Sequence, residues 1–193
     1  MDELPEHLGT VFSFRAAREA GVPERAIYRM RDEGIIESIS RGLYQKITSE
    51  PSDLDMLEIA TKMPIATLCL GAALARHDLS DLIPSYADLA IPRGRRPPVV
   101  TIPVSWHQFA VGTFHLGREL IPVGDGKSIG IYSPMRCLID VFRMRDREGS
   151  EVAYEALRRW LRRRGSAPGQ LMEMAKSFPR ARPALGHALD VLL

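Results

Sequence analysis

Residues 21–45, GVPERAIYRMRDEGIIESISRGLYQ, constrain the fold more tightly than any other stretch of the chain. Gly21 stops one short helix, and Pro23 opens another at a position where its missing N–H costs nothing. Gly34 closes the second helix in the left-handed conformation that commonly ends helices. Two β-prone runs, IIESI and LYQKI, flank Ser40-Arg41-Gly42, which is a hairpin signal. Upstream, Ser13 is placed to cap a helix that runs to Ala20. Two short helices joined at Gly21-Val22 and followed by a hairpin make a winged helix-turn-helix.

On a helical wheel the second helix, 23–33, has two unlike sides. Ala26, Ile27 and Met30 cluster on one side, suited to pack against Phe14, Ala17 and Val22. Arg25, Tyr28, Arg29 and Asp32 fall opposite, at i, i+3, i+4 and i+7. The second helix of such a pair can enter a DNA major groove, and arginine to guanine is the commonest base contact, worth about 1–3 kcal/mol of discrimination. Arg25, Tyr28 and Arg29 are therefore expected to face DNA, with Asp32 orienting an arginine because a carboxylate repels phosphate. Arg41 at the hairpin tip is expected to meet the backbone or minor groove. Ser13 and Arg15 are placed to hold phosphate. The same surface also suits a winged helix used for protein contacts.

Composition decides little here. The 193 residues are 45% hydrophobic and 26% charged, with a formal charge of +2. That balance neither demands nor excludes a polyanion, so local arrangement must decide. Residues 11–49 carry seven Lys/Arg against five Asp/Glu. Such a modest footprint neutralises few phosphates, so tight binding needs repeated half-sites or a second basic surface. Arg93, Arg95 and Arg96 in a proline-rich loop are candidates for that surface, as are Arg158, Arg159, Arg162, Arg163 and Arg164. Cys69 and Cys137 sit in apolar surroundings and read as core residues of a reduced cytosol. The acidic N-terminus lacks a signal peptide's basic start, and the longest apolar stretch, 63–75, is too short to span a bilayer. A cytoplasmic protein without membrane partners is expected.

TSEPSD at 48–53 reads as a linker, dividing a winged-helix domain (1–49) from a C-terminal mixed domain (50–193). Helices are expected near 53–62 and 70–77. Strands are expected at ADLAIP (87–92), VVTIPVSW (99–106), VGTFHLG (111–117) and SIGIYS (128–133), with Asp125-Gly126 as a turn between strands. From Pro134 the pattern is helical to the end, with Ser133 as a cap. The fold class is α/β of the α+β kind: a winged helix, then a small sheet and several helices.

No catalytic signature stands out. GDGKS at 124–128 lacks the upstream glycine of a phosphate-binding loop, since Ile121 occupies that position. Asp88 with Asp125 and Lys127 imitates a metal-nuclease set, but Asp-Gly is also a plain turn and Asp88 begins a strand expected to be half exposed. The five histidines show no metal-ligand spacing, so His107 and His115 read as structural residues. Trp106 and Trp160 read as core. Neither metal nor cofactor is expected, and a binding protein is favoured over an enzyme.

Four segments together resemble the AbiEi antitoxins of bacterial toxin–antitoxin systems: ISRGLYQKI (39–47), TLCLGAALARHDLSDLIPSYADLAIPRGRR (67–96), IGIYSPMRCLIDVFRMR (129–145) and the closing helical run. The resemblance implies a transcriptional autorepressor. Its winged helix would bind inverted repeats in double-stranded operator DNA, and its C-terminal domain would help neutralise a nucleotidyltransferase toxin. Arg25, Tyr28, Arg29 and Arg41 would form the DNA-facing set. Arg136 and Asp140 occupy motif positions one helical turn apart, where a buried or half-buried ion pair would fix the domain core. Two other classes stay open: a DNA-processing enzyme targeted by its winged helix, and a module that sequesters a toxin directly.

Overall fold

Strand β1 (Val11–Ser13) leads into helix α1 (Phe14–Glu19), and the Ser13 Oγ accepts the Ala16 N–H at 3.0 Å. Helix α2 spans Glu24–Asp32. Both helices end in the same device. Gly21 (φ 86°) donates to Arg18 while Val22 donates to Ala17; Gly34 (φ 71°) donates to Arg31 while Ile35 donates to Met30. These paired bonds satisfy the orphan carbonyls of the last turn, and only a residue at ease with positive φ can close them. The wing follows as β2 (Ile36–Ser40) and β3 (Leu43–Lys46).

In this computed structural model, which describes residues 4–5, 8–47, 53–82 and 85–193, the chain divides into two compact units. The first takes in Met1–Ala66, Pro98–Ile102 and Leu120–Ile129. Its sheet has the antiparallel order β1-β3-β2. The sequence pattern does not announce β1, because three residues offer too little alternation; pairing with Leu43, Tyr44 and Gln45 makes it a strand. Phe12, Ala17, Val22, Ala26, Ile27, Met30, Ile36 and Tyr44 form one buried cluster, as the wheel predicts for the inner side of α2. Of the expected linker at 48–53, only Asp53 lies within the described residues. It caps α3 (Leu54–Lys62), accepting the Met56 N–H at 3.2 Å.

The second unit takes in Thr67–Pro97, Pro103–Glu119 and Gly130–Leu193. Its elements begin with β4 (Thr67–Leu68), α4 (Leu70–Arg76), β5 (Ala87–Pro92) and β6 (Val104–Phe109). The strand order of the sheet is β6-β5-β4-β8-β7, with β7 (Arg118–Gly124) and β8 (Lys127–Tyr132), of which residues 118–119 and 130–132 fall in this unit. β4 is antiparallel to β5 and parallel to β8, and β5 is parallel to β6. Helices α5 (Pro134–Arg143), α6 (Arg145–Glu148), α7 (Ser150–Leu161), α8 (Pro168–Met174) and α9 (Arg182–Leu192) follow. The mixed α/β class is as expected.

Three details differ from expectation. Within 99–106 the strand begins only at Val104. The stretch 111–117 is a 3-10 turn at Val111–Thr113 followed by further turns, because the Thr113 and Leu116 carbonyls both curl toward the guanidinium of Arg136, each 2.7 Å from its Nη1. The strand itself comes later, as β7, at the sheet edge, where Pro122 is tolerated. Among the described residues no helix is long and apolar enough to cross a membrane. Cys69 and Cys137 are buried free thiols whose burial pushes their pKa values up, so they are inert core residues.

Candidate nucleic-acid interface

The apolar underside of α2 is closed: Ala26, Ile27 and Met30 are at most 1% exposed. Its opposite side therefore faces outward. Arg25, Tyr28 and Arg29 are all exposed, as is Arg41 at the wing tip. Among the described residues no carboxylate engages Arg25 or Arg41. Arg29 has a loose pair with Glu33, 3.7 Å away and equally exposed. Exposed pairs of this kind are worth little and exchange readily for phosphate. The Tyr28 ring leans on Phe14 with centroids 6.3 Å apart, and Glu24 raises the pKa of its hydroxyl, which keeps it a donor.

The remaining predicted residues divide. Ser13 spends its oxygen lone pair on capping α1, which leaves its O–H to donate. Arg15 is exposed but paired with Glu19 at 2.7 Å. Asp32 orients an arginine, as expected for a carboxylate on this face, and the partner is Arg31: Nε and Nη2 donate to Oδ1 at 3.0 and 2.7 Å. Arg31 is a residue that the wheel row passed over. Its guanidinium carbon sits 5.3 Å from the Tyr28 ring centroid. The i,i+3 spacing from Tyr28 is the signal that points to it.

Outside the winged helix, Arg93, Arg95, Arg96, Arg158, Arg162 and Arg164 are exposed. Arg159 is held by Asp81 and Glu155, and Arg163 donates to the His77 carbonyl. The nuclease-like residues are otherwise engaged. Asp88 is buried rather than half exposed, because β5 is an interior strand, and its carboxylate meets His107 Nε2 at 2.8 Å. The Asp125 carboxylate accepts the backbone N–H groups of Thr10 and Val11 and the Lys127 ammonium, so it anchors β1 within the first unit. Burial opposes its ionisation, but these donors hold its pKa below the usual range.

No curated protein matches the chain. Among solved structures, the RV2827C protein from Mycobacterium tuberculosis is similar in fold, at 18% identity and a TM-score of 0.51, over 93% of this chain and 75% of the other. The family model described as transcriptional regulator, AbiEi antitoxin, matches residues 3–45, the segment that carries the winged helix. Over that segment, less than a quarter of the chain, the protein is similar to the AbiEi antitoxin transcriptional regulators.

Proposed function

We propose that this protein binds its own operator DNA through α2 and the wing, represses its operon, and serves as antitoxin to a nucleotidyltransferase toxin. The observation that carries the reading is the outward row of Arg25, Tyr28 and Arg29 beside Arg41, held by a sealed apolar underside. Residues 1–49 would be the reading domain and 50–193 the part needed for toxin neutralisation. Ser13 and Arg15 would steady the phosphates. Exposed arginines beyond the winged helix, Arg95, Arg96, Arg158 and Arg162 among them, would supply extra backbone contact. One module of this size buries about 600–1,000 Å² on DNA, so repeated half-sites are part of the proposal.

A gel shift on the DNA upstream of the protein's own gene tests this reading. The wild type should retard the fragment, and Arg25→Ala/Arg29→Ala should not, with its thermal unfolding unchanged. Retardation by that variant equal to the wild type's would defeat the proposal.

A further inference from the structure

In the second unit a recess of about 320 Å³ opens beside the edge strand β6. Arg93, Arg143, Arg147 and Arg180 line it, from three separate places in the chain, together with Trp106 and His107. Among the described residues no carboxylate lines it. Arg93 follows β5, and its own N–H donates to the Phe109 carbonyl at 2.8 Å, which fixes that wall to β6. Arg143 is the rigid member: its guanidinium lies 4.6 Å from the Phe109 ring centroid and pairs with the buried Asp140 at 2.9 Å. The Arg143 Nε is buried and has no hydrogen-bond partner.

These groups are costly as they stand. Like charges gathered in a concavity repel, and a buried donor without a partner forfeits its solvation. The nearby acids do not balance them. Asp140 is shared between Arg136 and Arg143, and Glu148 meets Arg147 only at 3.8 Å. An anionic oxygen ligand would relieve both costs, and arginine suits phosphate because its fork makes two parallel bonds. The recess exceeds what one phosphate fills and falls at the small end of ligand pockets. Trp106, half-buried on β6, adds an aromatic face that inorganic phosphate would not use.

We propose that this recess binds a nucleotide, with Arg93, Arg143, Arg147 and Arg180 taking the phosphates and the base lying against Trp106. A concave pocket favours a small ligand over a duplex, whose phosphates lie on a convex surface. The site shares no residue with α2 or the wing, so the proposal does not rest on the operator-binding reading.

Titration of the full-length protein with ATP, sodium triphosphate and adenosine, followed by calorimetry and tryptophan fluorescence, tests the proposal. ATP should bind and perturb the fluorescence, triphosphate should bind at least ~10-fold more weakly, and adenosine should not bind at millimolar concentration. Trp106→Phe should abolish the fluorescence response, since Trp160 is buried. Arg147→Ala/Arg180→Ala alters two exposed side chains and should weaken ATP at least ~10-fold without lowering the unfolding temperature. Absence of ATP binding at millimolar concentration, or binding indifferent to the double variant, overturns the site. Triphosphate binding as tightly as ATP overturns the nucleotide assignment. So does loss of duplex-DNA binding in the double variant while ATP shows none, which would make the recess part of a DNA surface.

Discussion

The Arg136 Nε donates to the Asp140 Oδ2 at 2.8 Å, with both side chains fully buried. One turn of α5 separates them, and the guanidinium sits 4.2 Å from the Tyr132 ring and 4.4 Å from the Phe178 ring. Its Nη1 also takes the Thr113 and Leu116 carbonyls. A single charged side chain thus organises the α5 face, the 3-10 turn and the aromatic cluster of the second unit. Burial pushes the Asp140 carboxyl up, and the guanidiniums of Arg136 and Arg143 oppose that push.

Removing both partners of this pair should cost less than the two single removals added together. Arg136→Met leaves Asp140 with Arg143 alone and strands two carbonyls, and the expected loss is about 3–5 kcal/mol. The double variant Arg136→Met/Asp140→Leu should lose less than the sum of the two single variants. Urea unfolding of the four proteins measures this coupling, and strict additivity would show that the pair contributes nothing as a pair.

Asp125 predicts an acid-sensitive first unit. Its pKa in the folded protein lies below the ordinary value of about 3.9. The stability it contributes is therefore fully present above that value and is lost as pH falls through the folded pKa. Asp125→Asn keeps a side chain that tolerates the observed φ of 52° but presents fewer acceptors to the Thr10 and Val11 N–H groups. It should destabilise at pH 7 by about 1–3 kcal/mol and flatten the acid limb. Unfolding midpoints across pH 3–7 compare the two proteins.

Arg29 and Arg41 should fail differently on DNA. In the proposed reading Arg41 meets the DNA backbone, so Arg41→Ala should lower affinity similarly for all sequences and shrink the salt slope by about 0.9. In the proposed reading Arg29 contacts a base, so Arg29→Ala should remove about 1–3 kcal/mol of discrimination at one position. Binding to operator and mutated operator at several salt concentrations separates these two outcomes.

Gly34→Ala isolates a backbone cost. A methyl group there meets nothing within 4 Å, so sterics with the rest of the protein are not at issue. Holding alanine at φ 71° should cost about 1–2 kcal/mol, and Gly34→Asn should cost less. Equal stability of the alanine variant and the wild type in thermal unfolding would contradict the capping role described for this glycine.

Local rules carried the winged helix. Gly21 and Gly34 stop helices through bonds made within a few residues, and the two sides of α2 follow from a 3.6-residue period, so both are legible before any fold is known. The Arg136–Asp140 pair is legible for the same reason, being one turn apart on one helix. Tertiary structure alone decided the rest. β1 exists through its pairing with β3, the turns at 111–117 exist because a distant guanidinium takes their carbonyls, and Asp88 is buried because β5 lies inside its sheet. The recess of Arg93, Arg143, Arg147 and Arg180 belongs to this second kind. Only Arg143 and Arg147 are close in sequence; Arg93 and Arg180 are brought to them by chain folding, which pairs residues by space rather than by separation.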